Sequence, residues 1–360
     1  MSTQILEKDS PVQIFKSNQR AFGPFVLSVE DIRPHLLNPE LSDADIIKLV
    51  KEMSLKFTQK REHIEDYVLS EDLVSAYTAL YLPTNIPKLH FLLSKLSEDV
   101  LQDFKKRPFI DIGAGPGTFS LGYKLLMGSE FTGECIAVDS SDIMLEQSRY
   151  LMSGFFPKDT FVATKKFKEQ TKESILFFGH SINEMGINRA MDFITTIDPE
   201  YIIWIEPGTS DLFSELKKLR ANILDGYDVL YPCPSNAGCP ASWCHQVLRT
   251  SHDPSIERIS QLASLDRKVL PMTAHVYRRK DQPVQIHYPT IIRYINETKF
   301  SFEYETCFSE EEKNKNAIIE VQKRDLSKQE EKMFKNSDVG EKIEFDVTKI
   351  INGKLRVKLI

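Results

Sequence analysis

Three cysteines fall in YPCPSNAGCPASWCHQ, at Cys233, Cys239 and Cys244, and a fourth, Cys307, follows in YETCF. Thiolates are soft donors, and four of them can close one tetrahedral zinc site or one four-iron, four-sulfur cluster. Zinc sites favour ligand pairs about two to four residues apart, because a tight turn then aims both sulfurs at one ion. Here the first gap is wider, and Cys-Pro occurs twice, at Cys233-Pro234 and Cys239-Pro240. That dipeptide matches the Cys-Pro of cluster-binding loops. The reading favours a [4Fe-4S] cluster, with zinc as the alternative. His245, beside Cys244, is placed to donate behind the metal or to replace a ligand. The fifth cysteine, Cys135, lies within the apolar run ECIAVD and reads as a small buried residue.

A second constellation precedes the first. DIGAGPGTFSL follows an apolar run and enters a helical pattern, with glycines at 113, 115 and 117. The dinucleotide fingerprint would need glycine at 118, where Thr118 stands. The tighter spacing, opened by Asp111, resembles the first motif of class I S-adenosylmethionine methyltransferases. Glycines let the backbone approach a ligand that side chains would hold away. The segment Asp111, Gly113, Ala114, Gly115, Pro116 and Gly117 is therefore the candidate cofactor loop, with Asp111 near the methionine ammonium. Asp139, ending IAVD, stands where a carboxylate accepts from both ribose hydroxyls.

The methyl acceptor is less specified. FFGHSINEMG lacks the Asn/Asp-Pro-Pro-aromatic run that grips an exocyclic nitrogen. Cys233 lies beyond the fifth strand pattern, not after the fourth, which counts against it as a pyrimidine nucleophile. His180 and Glu184 are the polar candidates near the fourth strand, and neither receives a catalytic role.

These groups need a scaffold. Residues 28–106 carry helical periodicity, with Ser42 as a helix start and Pro83 and Pro87 expected to break EDLVSAYTALYL from LHFLLSKL. From 107 the pattern changes. RPFIDIGAG, ECIAVDS, TFVAT, ILFFGHS and YIIWIEPG read as buried strands separated by helices. The alternation predicts an α/β fold with a doubly wound, mostly parallel sheet. Beyond the cysteines the chain turns β-rich, from KVLPMTAHVYRR to KLRVKLI, while SEEEKNK and SKQEEKMFK read as solvated turns or a loop. The division expected is a helical region over 1–106, a cofactor domain over 107–230, a cysteine-bearing basic region over 231–310 and a small β appendage over 311–360.

Composition bounds the possibilities. Apolar residues at 41% and charged residues at 27% describe a soluble protein, and no run approaches the roughly 20 apolar residues of a membrane helix. The segment MSTQILEKDSPVQIFKSNQR has neither a secretory core nor an Arg-rich import pattern, so a cytoplasmic location is expected. Thiols are reduced there, which favours metal ligation over disulfides. The net charge of −6 does not suggest a nucleic-acid binder, yet residues 245–299 hold nine Lys/Arg against five Asp/Glu. A local excess of that kind can meet phosphates.

DIGAGPGT, FFGHSINEMG, WIEPGT, PCP-x4-CP-x2-WCHQ and LDRKVLPMTAHVYRRK, in this order, resemble the methyltransferase-like assembly proteins of the small ribosomal subunit. That family is best known from mitochondrial ribosomes and has bacterial relatives. The resemblance covers roughly residues 70 to 310. It implies a class I methyltransferase fold binding S-adenosylmethionine, a [4Fe-4S] cluster on Cys233, Cys239, Cys244 and Cys307, and docking on small-subunit ribosomal RNA. It supports cofactor binding more firmly than turnover. Arg267, Lys268, Arg278, Arg279 and Lys280 would then face RNA phosphates. The chain departs from the family before the last cysteine, where only Arg293 and Lys299 remain of a usual basic run. The expected protein is monomeric when free. The rival expectation is an active RNA or protein methyltransferase with a structural zinc, and a radical enzyme is a remote third. Such enzymes need a closely spaced three-cysteine loop, usually on a barrel.

Overall fold

The computed structural model describes residues 26–59, 70–280, 288–335 and 339–360, so the N-terminal segment read for targeting lies outside it. The helices come first. α1 (Val29–Ile32) opens with a capping box between Ser28 and Asp31. α2 (Asp43–Gln59) starts where Ser42 Oγ accepts from the Asp45 N–H. α3 (Glu71–Leu93) continues through Pro83 and Pro87, correcting the expected break. An internal proline costs a helix about 3 kcal/mol. α3 tolerates two because it is buried on nearly every face, from Val74 to Leu93, so tertiary packing outweighs the lost backbone bonds. α4 (Glu98–Phe104) leads into the sheet.

All five expected strands form: β1 (Phe109–Ile112), β2 (Cys135–Val138), β3 (Phe161–Thr164), β4 (Ile175–Gly179) and β5 (Tyr201–Pro207). Between and after them lie α5 (Thr118–Met127), α6 (Asp142–Phe155), α7 (Ile182–Met185), α8 (Ile187–Ile197) and α9 (Ser210–Ile223). Three further strands complete the sheet: β6 (Tyr227–Tyr231), β7 (Gln246–Arg249) and, after helix α10 (Pro254–Leu262), β8 (Val269–Arg279). The order is β3-β2-β1-β4-β5-β8-β6, with β7 pairing to β8. β1 to β5 are parallel, whereas β8 runs antiparallel between β5 and β6. This is the class I methyltransferase arrangement. Alternate residues of each strand feed opposite layers. Phe109, Phe177 and Ile203 pack with the α3 to α5 side, while Ile110, Phe178 and Trp204 pack with residues of α8 and α9.

A second sheet, ordered β12-β13-β11-β10-β9, contains β9 (Thr290–Glu297), β10 (Ser301–Glu310), β11 (Lys313–Gln322), β12 (Phe345–Ile351) and β13 (Lys354–Leu359). Its core is Phe302, Tyr304, Ile319, Val321 and Val357. The division expected at 310 falls inside the β10–β11 hairpin. Within SKQEEKMFK the structure has a helix, α11 (Lys328–Lys335), where a solvated segment was expected. Ser327 and Glu330 cap it reciprocally, and Phe334 is buried against Phe302 and Tyr304. Among the bonds that tie the sheets together, Tyr231 Oη donates to the Gly340 carbonyl and Thr290 Oγ1 donates to the Pro232 carbonyl. No helix among the described residues is long and apolar enough to cross a membrane.

Candidate functional site

A cavity of about 340 Å³ opens beyond the carboxyl ends of β1, β2 and β4, the place where open α/β sheets bind ligands. The glycine loop forms one wall. Gly115 has φ +54°, and no atom stands within 4 Å of where a Cβ would project. Its bare backbone lines the cavity. A Cβ on Gly113 would stand 2.4 Å from Ser181 Cβ, and one on Gly117 would stand 2.9 Å from Ser148 Cβ. Those two glycines let neighbouring elements close on the loop.

Asp139 stands where the sequence placed it. Its Oδ2 accepts from the Gly115 N–H at 2.8 Å and its Oδ1 from the Ser141 N–H at 2.9 Å. The loop and the acid are thereby one unit, with carboxylate lone pairs left for ligand hydroxyls. Burial raises the Asp139 pKa above its ordinary value despite these bonds. Asp111 differs from expectation. It lies fully buried outside the cavity wall, with Oδ2 accepting from Ser120 Oγ at 2.8 Å and Oδ1 unpartnered. Burial pushes its carboxyl up to about 7.

His180 and Glu184 both line the cavity. His180 follows β4 with φ +59°, a backbone conformation that costs a non-glycine residue. The turn that follows is held by Glu206 of β5, a fully buried carboxylate accepting from the N–H groups of Ser181 and Ile182. Burial raises Glu206 to about 8. Sequence reading missed the far wall, which α3 supplies through Tyr77 and Asn85. Its signal was faint: one lysine, Lys88, inside the apolar run IPKLHFLL.

The cysteines converge. Cys233 follows β6, and Cys233, Cys239 and Cys244 line one small pocket with Arg220 and His275. The loop is held from two sides. The Arg220 guanidinium of α9 donates to the Ser235 and Ala237 carbonyls. Asn314, on β11, donates to the same carbonyls and accepts from Ser235 Oγ. The β10–β11 hairpin so anchored brings Cys307 to the group. Burial, then Cys233, Cys239 and Cys307, raises the Cys244 thiol well above its usual value. Burial, then Cys233 and Cys239, pushes Cys307 up to about 12.

Among the described residues, no group of three or more His, Cys, Asp or Glu is set to hold a metal ion. A single zinc at about 2.3 Å from each sulfur needs its thiolates nearly in contact. A four-iron cluster binds each thiolate through a different iron and accepts a wider set. The Arg220 Nε–H is buried without an oxygen or nitrogen partner. A cation with an unsatisfied N–H beside converging thiols fits an anionic sulfur cluster. His245 instead stacks on Trp243, their rings 4.4 Å apart. Cys135 is buried in β2.

The five basic residues proposed for RNA divide. Arg267 turns inward, donating to Thr84 Oγ1 and to Asn85 Oδ1 at 2.8 Å. Arg279 pairs with Asp198 at 2.6 Å, and Arg278 with Glu200 at 3.4 Å. Lys268 pairs with Glu257 at 2.8 Å, and Lys280 is exposed.

The family profile described as mitochondrial small ribosomal subunit Rsm22 matches residues 71–336. No curated protein sequence matches. Several solved structures are similar. One is a Listeria monocytogenes protein described as a class I S-adenosylmethionine-dependent methyltransferase, 10% identical with a TM-score of 0.40, covering 76% of this chain and 89% of its own. A Pyrococcus horikoshii protein described as an RNA methyltransferase is 14% identical with a TM-score of 0.34, covering 64% and 97%. TrmK of M. capricolum, in complex with S-adenosylhomocysteine, is 10% identical with a TM-score of 0.31, covering 53% and 73%. Scores this low add nothing to the fold assignment, which stands on the strand order.

Proposed function

The chain belongs to the Rsm22 family of the mitochondrial small ribosomal subunit, and on that premise we propose that it is an assembly or translation factor of the small subunit. In this reading it binds S-adenosylmethionine and a [4Fe-4S] cluster and docks on ribosomal RNA. The observation that carries the reading is that one matched stretch, 71–336, holds both the cavity and the four converging cysteines. Asp139 would take the ribose hydroxyls, and the Gly113–Gly117 loop would hold the cofactor by its backbone. When bound, the cofactor supplies an electrophilic methyl group. Cys233, Cys239, Cys244 and Cys307 would ligate the cluster, which supplies a covalent tie between the two sheets.

Two features of the chain support the tie as a device for docking. Asn314 and Arg220 already grip the same two carbonyls of the cysteine loop. Ligand binding to such a prearranged loop adds to folding stability, because the unfolded chain has no equivalent site. The docking surface then depends on the cluster for its shape. Purified protein with its cluster should bind the small subunit or its precursor, with an affinity that falls as salt rises. Absence of binding at low salt with the cluster intact would sink the reading.

An active RNA or protein methyltransferase is the second reading, favoured by His180 standing in its strained conformation on the cavity wall. Labelled methyl transfer to a defined acceptor, lost in a folded Asp139→Ala variant, would support it.

A further inference from the structure

The α3 side of the cavity carries polar groups that cofactor binding through Asp139 does not use. Arg267 donates to Asn85 Oδ1. The amide is thereby oriented, and its Nδ2 is the end left for other partners. Asn85 is 7% exposed and lines the cavity, so what remains accessible of it faces that space. Lys88 Nζ lies 2.9 Å from His180 Nε2. An amine that donates there leaves the ring proton on Nδ1, the other nitrogen of a residue in the cavity wall. Ser181, the next residue, also lines the cavity, and its Oγ is buried without a partner.

Behind these three groups stand two basic side chains, Lys88 and Arg267. Lys88 is 3% exposed, and no carboxylate among the described residues pairs with Lys88 or Arg267. Glu206 acts on Lys88, and Tyr81, Tyr77 and Asp266 act on Arg267, without forming an ion pair, so an anion in the cavity would supply the partner both lack. Burial holds both below their usual pKa values, and a bound anion would reverse that.

We propose that this wall is an oxyanion subsite, in which Asn85, His180 and Ser181 donate to a carboxylate or phosphate group, and Arg267 and Lys88 orient the first two and supply positive charge. Arg267 thus acts from behind the cavity wall, through its bonds to Thr84 and Asn85. The ligand oxyanion has two sources: the carboxylate at the amino-acid end of the cofactor, or a phosphate of the acceptor. The first source rests on the cofactor reading above; the second does not.

Asn85→Asp is the informative variant, because an added carboxylate can still accept from Arg267 while repelling an anion. Ser181→Ala removes one donor with little change in volume. The test is calorimetric titration with S-adenosylhomocysteine, with 5′-methylthioadenosine (which lacks the amino-acid end) and with inorganic phosphate. If the carboxylate is the ligand, Asn85→Asp weakens S-adenosylhomocysteine about tenfold or more and leaves methylthioadenosine within about twofold. If the acceptor supplies it, both nucleosides bind the variant normally. Phosphate then shifts the His180 ring nitrogens of the cofactor-loaded wild type and not those of the variant. Equal binding of all three ligands to wild type and variants overturns the subsite. So does a ring proton on Nε2 by nitrogen-15 correlation in the ligand-free protein. Should wild type bind neither nucleoside, the cofactor reading fails, and phosphate binding to the empty cavity decides the subsite alone.

Discussion

Asp139 and Asp111 are two carboxylates at neighbouring strand ends with opposite fates. Asp139 keeps the Gly115 and Ser141 N–H groups and a place in the cavity wall. Its replacement by alanine should weaken S-adenosylhomocysteine binding by about tenfold to a hundredfold, the worth of hydrogen bonds to a charged group. Titration of a variant with a native circular dichroism spectrum checks it. Asp111 ordinarily titrates at 3.8 and here is pushed to about 7. A carboxyl raised by folding holds its proton more tightly in the native state, so its contribution is full below 3.8 and is lost as pH rises through 7. Asp111→Asn should therefore flatten the fall in melting temperature across that window. An unchanged slope would contradict it. Asp139 was legible in the sequence because strand-end acids are placed by the fold itself. The burial of Asp111 was not, since a carboxylate inside a strand reads the same whether it faces a ligand or a serine.

The element scale explains what else could be read. β1, β2, β4 and β5 are short apolar runs buried along nearly their whole length, and runs of that kind announce themselves. α3 was read as two helices because proline is a local signal, whereas what holds α3 together is contact with α2 and α5. α11 was hidden by its charge, although Ser327 and Glu330 spell a capping box. Asn85, Lys88 and Tyr77 were missed for a related reason. On a helix buried all round, ligand-facing and core-facing positions share one periodicity. The cysteine loop carries its own prediction. Asn314 joins β11 to Ser235 and Ala237 without touching sulfur. Asn314→Ala should cost about 1–3 kcal/mol, the penalty for buried groups left unsatisfied. It should also speed loss of bound metal to a chelator, with the thiol count unchanged. Metal retention equal to wild type would show that the hairpin does not hold the loop.

Across the whole molecule, the basic segment expected to face RNA is largely spent on the protein itself. Arg279 bonds to Asp198 and to the Pro199 carbonyl, and Arg278 to Glu200. Arg279→Ala should thus lower the melting temperature while leaving the salt dependence of subunit binding unchanged. Lys280→Ala should do the reverse, lowering the slope of log affinity against log salt by about one if Lys280 meets a phosphate. Binding measured at several salt concentrations separates the two. The second sheet, which the sequence showed only as scattered β runs, brings Cys307 from β10 toward the loop after β6 that holds Cys233, Cys239 and Cys244. The most direct test is iron and sulfide analysis of the protein purified without oxygen, alongside its Cys307→Ser variant. About four irons and four sulfides per chain, lost or sharply reduced in the variant, is the predicted result. One zinc without sulfide, or no metal at all, would contradict it.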